Sequence, residues 1–93
     1  MDNLDSMEKA FRIKNKLGLH ARAASLFVQL ANRFSADISV AKNGQEVNGK
    51  SIMGILILAA AQGSEITVKA VGSDAATAVG ALGELIETGF GED

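Results

Sequence analysis

The chain contains no cysteine, no proline, no tryptophan and no tyrosine, and it has a single histidine. Without cysteine there is no disulfide and no thiolate metal site, and one histidine supplies too few nitrogen ligands for a zinc centre. Long apolar runs are missing too. The longest, Ile52 to Ala61, is about ten residues, against the roughly 20 that a bilayer-spanning helix needs. The first residues, Met1-Asp2-Asn3-Leu4-Asp5-Ser6-Met7-Glu8-Lys9, are acidic and have no apolar h-region, which argues against export. Positive charge is not in excess, and a formal net charge of −2 offers no basic footprint for nucleic acid. No internal repeat, low-complexity tract or interdomain linker is visible. The expectation is a cytoplasmic, monomeric single domain that inserts into no membrane, binds no nucleic acid and works without a metal or other cofactor. Residues 1–6 read as a flexible tail and 7–93 as the domain.

What is present is a core. A chain of 93 residues that is 47% hydrophobic can bury one apolar centre. Phe11 and Ile13 alternate with Arg12 and Lys14, the pattern of a half-buried strand. From Ala23 to Phe34 the apolar positions 23, 27, 30, 31 and 34 fall at helical spacing, with Arg22, Ser25, Gln29, Asn32 and Arg33 opposite. Ile38 and Val40 mark a second strand, Asn43-Gly44 a type I′ hairpin turn, and Gln45–Val47 a short third strand. Ser51 to about Gln62 reads as a second helix, with Ser51 as N-cap and Gly63 as its stop. Ile66, Val68 and Ala70 form a fourth strand. Ser73-Asp74 caps a last helix whose core positions are Ala75, Val79, Leu82 and Ile86, and whose interior holds Gly80 and Gly83. The order β-α-β-β-α-β-α, with one apolar face per strand, predicts an α+β fold: a four-stranded antiparallel sheet covered on one face by three helices.

Gly18-Leu19-His20-Ala21-Arg22 places the only histidine directly before the first helix. Unpaired N–H groups and the positive end of the helix dipole make that position an anion cradle, and an imidazole beside it suggests phosphoryl transfer. A second motif competes. Gly44-Gln45-Glu46-Val47-Asn48-Gly49-Lys50-Ser51 satisfies GxxxxGK[ST], the phosphate loop of nucleotide-binding proteins. The preceding strand alternates instead of being apolar on both faces, Val47 belongs to an inter-turn strand, and no later strand ends in an acidic residue for Mg²⁺. These three features weigh against nucleotide binding.

Taken with Asn48-Gly49-Lys50-Ser51-Ile52-Met53-Gly54, Glu65-Ile66-Thr67-Val68 and Gly72-Ser73-Asp74, the histidine motif resembles the HPr-type phosphocarriers of the phosphoenolpyruvate-dependent phosphotransferase system. The resemblance runs from about Met7 onward and implies an open-faced sandwich of the order above. It implies that His20 accepts a phosphoryl group on Nδ1 from enzyme I and passes it to an enzyme IIA. Arg22 and the backbone N–H groups around Ala21 and Ala23 would hold the phosphate oxygens. Where the family usually has proline this chain has Ala23, which keeps an N–H donor and leaves the first turn less rigid.

The resemblance also implies that Ser51 is phosphorylated by an ATP-dependent HPr kinase/phosphorylase, although a helix cap accounts for this serine equally well. The ending Thr88-Gly89-Phe90-Gly91-Glu92-Asp93 is similar to that of the nitrogen-related branch. The second helix is apolar nearly all round. With Ile55, Leu58 and Ala59 toward the sheet, Ile52, Met53 and Leu56 would face out as a partner-binding patch. A module acting only through Ser51, with His20 a structural cap, is the remaining alternative.

Overall fold

The computed structural model describes residues 5–92. Its elements are β1 (Ser6–Arg12), α1 (Ala21–Ala31), β2 (Asp37–Lys42), β3 (Gln45–Asn48), α2 (Ile52–Ile57), β4 (Glu65–Val71) and α3 (Ala75–Glu87), with a 3₁₀ turn at Gly89–Gly91. The strands form one antiparallel sheet in the order β1-β4-β2-β3. Register follows the period-2 pattern, because a slip of one residue would turn every apolar side chain to water. Phe11 stands opposite Ile66, Val40 opposite Val68 and Ile38 opposite Ala70, and all six are buried under the helices. The other face carries Glu8 opposite Lys69 and Arg12 opposite Glu65, charge pairs suited to a solvated surface. The expected open-faced sandwich is the observed fold.

Two boundaries move, and one capping side chain finds other partners. Ser6 pairs with Val71, and Gly72 N–H donates to Asp5 O at 2.8 Å, so β1 begins within the segment expected to be a tail. Residues 1–4 of that segment lie outside the described residues. The second change is larger. The helix expected to run from Ser51 to about Gln62 ends at Ile57, with Leu58 its C-cap and Ala59 left-handed at φ 49°. The backbone that follows is held by another loop: Leu19 N–H donates to Ala60 O at 2.9 Å, and Gly63 N–H donates to Ile13 O at 2.8 Å. Continuing the helix would withdraw those groups from their partners. The apolar composition of 59–61 could not reveal this.

The third change is at α3. Asp74 is its N-cap but makes no side-chain cap bond; its carboxylate instead accepts the N–H groups of Ser35 and Ala36 at 2.8 and 2.9 Å. Thus Asp74 ties the α1–β2 loop to the start of α3. Where α1 packs, Ala23, Phe27 and Ala31 are buried as the spacing predicts, joined by Ala24 and Val28, while Leu30 and Phe34 are partly covered.

Candidate functional site

The loop before α1 is shaped by two small or polar residues. Gly18 has φ 65°, and a Cβ built on it would lie 2.4 Å from Ala60 O, so both its backbone conformation and its close approach require glycine. Asn15 is 1% exposed, and its side-chain amide donates to Gly18 O at 2.8 Å, closing the loop from within. His20 follows as the N-cap of α1, with extended backbone (φ −77°, ψ −179°) and no side-chain cap bond. The first helical hydrogen bond runs from Ala24 N–H to His20 O at 2.8 Å. The N–H groups of Ala21, Arg22 and Ala23 therefore stand ahead of the helical ladder at the positive end of the dipole. Ala21 and Arg22 are exposed and Ala23 is fully buried, so the cradle is open on one side and anchored on the other.

The imidazole is 28% exposed and its Nε2 lies 2.7 Å from Glu92 Oε2. Glu92 Oε1 accepts the second amide N–H of Asn15 at 3.0 Å. These contacts, that of Asn15 first and that of His20 second, hold the Glu92 carboxyl below its ordinary range. Lys16, Leu17, His20, Arg22 and Glu92 line a shallow hollow of about 360 Å³. A larger, mostly apolar groove between β1 and α3, lined by Met7, Phe11, Val79 and Gly80 among others, holds none of these groups.

Glu92 is the site residue that reading the sequence missed. It reaches His20 because Gly89, Phe90 and Gly91 all take left-handed backbone, at φ 64°, 57° and 75°. That turn reverses the chain after α3 while Phe90, 2% exposed, plugs into the core. The signal was one of only four phenylalanines set between two glycines just past a helix.

Ser51 is where the sequence places it, at the N-cap of α2, and its Oγ accepts Gly54 N–H at 3.1 Å. Of the three residues expected to face out, Ile52 is 42% and Met53 67% exposed, but Leu56 is half-buried against the core. At about 100° per residue, Leu56 sits beside the buried Ile55, whereas Met53 and Ile57 share the opposite side. Ile57 is accordingly 57% exposed, and Leu17, in the hollow with His20, is 69% exposed. Ala59, expected to face the sheet, is exposed because the helix has ended before it. The GxxxxGK[ST] segment forms no phosphate loop. Gln45–Asn48 is a strand paired with β2, and Lys50 Nζ donates to Phe34 O at 2.7 Å. Among the described residues no cluster of histidine and acidic side chains could hold a metal ion, and no helix is long and apolar enough to cross a membrane.

A family profile described as "PTS HPr component phosphorylation site" matches residues 7–88. The chain belongs to the HPr family. It is 49% identical over 86 residues to the phosphocarrier protein HPr of Neisseria meningitidis serogroup A, covering 92% of this chain and 97% of that protein. It is also 49% identical over 81 residues to the HPr-like protein Crh of Halalkalibacterium halodurans, covering 87% and 96% of the two chains. The solved structure of HPr-C-His from Thermoanaerobacter tengcongensis superposes with a TM-score of 0.91 at 50% identity, covering 94% of this chain and 98% of that one. HPr proteins are phosphocarriers of the phosphotransferase system, not catalytic enzymes, and this HPr-family chain has their fold over nearly its whole length.

Proposed function

We propose that this HPr-family chain relays a phosphoryl group in the cytoplasm, from phosphoenolpyruvate-charged enzyme I, through His20, to enzyme IIA-type acceptors. The observation that carries the reading is the geometry of His20. Its Nε2 is engaged by Glu92, its Nδ1 has no hydrogen-bond partner among the described residues, and it stands at the start of α1 beside three N–H groups outside the ladder. Phosphoryl transfer asks mainly for positioning and charge stabilisation. Arg22 and the N–H groups of Ala21 and Ala23 supply both, and Ala23 adds a donor that the family's usual proline would lack. The exposed apolar side chains Leu17, Ile52, Met53 and Ile57, with the half-buried Leu56 beside them, form the docking face. Methionine in such a face suits successive partners of different shape.

Ser51 is the regulatory position in this reading. A phosphate added by an HPr kinase/phosphorylase would sit at the start of α2, next to Ile52 and Met53, and put about −2 charge into an apolar contact. Treated with ATP and such a kinase, the protein should gain an acid-stable phosphate that Ser51→Ala lacks.

The deciding experiment concerns His20. Incubated with phosphoenolpyruvate and enzyme I, the protein should acquire one acid-labile, alkali-stable phosphate, and His20→Ala should acquire none. Equal labelling of the two would overturn the relay and favour a module acting through Ser51 alone.

A further inference from the structure

We infer that Glu92 is a positioning residue for the phosphoryl relay, fixing the His20 tautomer that presents Nδ1 and stabilising the positive charge the ring gains on phosphorylation. The inference rests on the reading of His20 as the carrier. An ionised carboxylate only accepts hydrogen bonds, so the 2.7 Å contact requires that Nε2 carry the proton. The lone pair of the neutral ring is then on Nδ1. When Nδ1 attacks phosphorus, the Nδ1–P bond forms as the bond from phosphorus to the donor breaks, and the donor recovers the electron pair. No proton has to leave. The ring becomes cationic with Nε2–H still in place, and Glu92 faces that charge directly, as the buried aspartate does beneath the histidine of a serine-protease triad. Repulsion between Glu92 and the phosphoryl group opposes this, but the phosphorus is separated from the carboxylate by the width of the ring in addition to the hydrogen bond. The nearer attraction therefore wins, and Arg22 in the same hollow offsets the rest.

Independent observations show that the contact is built rather than incidental. Asn15 is 1% exposed and uses both amide hydrogens, one for Gly18 O and one for Glu92 Oε1, leaving its Oδ1 buried with no partner among the described residues. Turning the amide over would set its oxygen against two acceptors, so the donor orientation is fixed by chemistry. An orphaned buried carbonyl is a cost that most structures avoid, and here it accompanies the aiming of one carboxylate. On the other side, the left-handed turn Gly89–Gly91, with Phe90 at φ 57°, is a strained conformation for a bulky residue and is what brings Glu92 back across the molecule to α1.

The test compares wild type with Glu92→Gln, which keeps the shape and loses the charge, and with Glu92→Ala. Titrated against phosphorylated enzyme I, both variants should shift the transfer equilibrium toward the donor by roughly tenfold, the size of one charge-assisted hydrogen bond exchanged for a neutral one or none. Nitrogen-15 spectra of the unphosphorylated ring at alkaline pH should show the Nε2–H tautomer alone in wild type and a mixture in the variants. Thermal unfolding verifies that the variants fold, and a merely structural Glu92 would lower the melting temperature while leaving the ring spectrum and the equilibrium constant unmoved. Variants matching wild type in both of those readouts would overturn the inference and leave the carrier reading intact. A wild-type protein that takes no phosphate on His20 would remove the carrier reading instead.

Discussion

At the scale of single residues, the site is assembled from side chains whose backbone positions leave them little choice. Ser51 illustrates how much of a short helix can rest on one hydroxyl. It is the N-cap of a helix only six residues long, far below the length at which a helix holds itself together in water. Removing its hydroxyl leaves Gly54 N–H without the acceptor now 3.1 Å away. Ser51→Ala should therefore cost about 1 kcal/mol. In urea unfolding the midpoint should fall with the slope unchanged, since the same surface is exposed on unfolding. A phosphate on the same oxygen would meet the same N–H end of the helix, so modification is expected to leave α2 intact while changing the face it presents.

At the scale of elements, α3 shows how packing overrides intrinsic preference. Gly80 and Gly83 lie three residues apart in its interior, where each should weaken the helix by about 1 kcal/mol relative to alanine. Their surroundings differ. A Cβ on Gly80 would meet nothing within 4 Å, whereas one on Gly83 would come within 2.5 Å of the Phe11 ring, itself 5% exposed. Gly80→Ala should accordingly raise stability by roughly 0.5–1 kcal/mol. Gly83→Ala should lower it by about 1–3 kcal/mol, because at 2.5 Å the ring must leave its rotamer or push α3 off the sheet. Opposite signs in chemical denaturation are the expected outcome, and equal signs would show that β1 and α3 are not packed as described.

At the scale of the whole molecule, two carboxylates clamp segments remote in sequence. Asp74 joins the α1–β2 loop to α3, and Glu92 joins the chain's far end to Asn15 and His20. Both are held below their ordinary values: Asp74 first by the N–H of Ser35 and then by that of Ala36, Glu92 by Asn15 and then His20. A carboxyl lowered on folding stabilises the native state above its unfolded value, and that contribution disappears as pH falls through the folded value. The melting temperature should thus decline as pH drops from about 5 and continue to decline below the ordinary values of 3.8 and 4.5. Asp74→Asn should melt lower than wild type at neutral pH and converge with it in acid, which a pH series of thermal melts will show.

Much of this protein is determined by its sequence alone, because the relevant forces are local. Alternation in 38–40 and 66–70, the helical spacing in 23–34 and 75–86, and the φ > 0 pair Asn43-Gly44 are short-range signals, and each became the expected element. His20 is at a helix start because the apolar stripe begins just after it. The tertiary structure alone decided what depends on contacts between distant segments. Residues 59–63 leave the helix because the loop around Ile13 and Leu19 claims their backbone groups. Asp74 caps another segment's N–H groups, Leu56 turns half inward while Ile57 turns out, and Glu92 arrives at His20 from 72 residues away. None of these can be read from neighbours along the chain, since the partner in each case is set by how the layers pack.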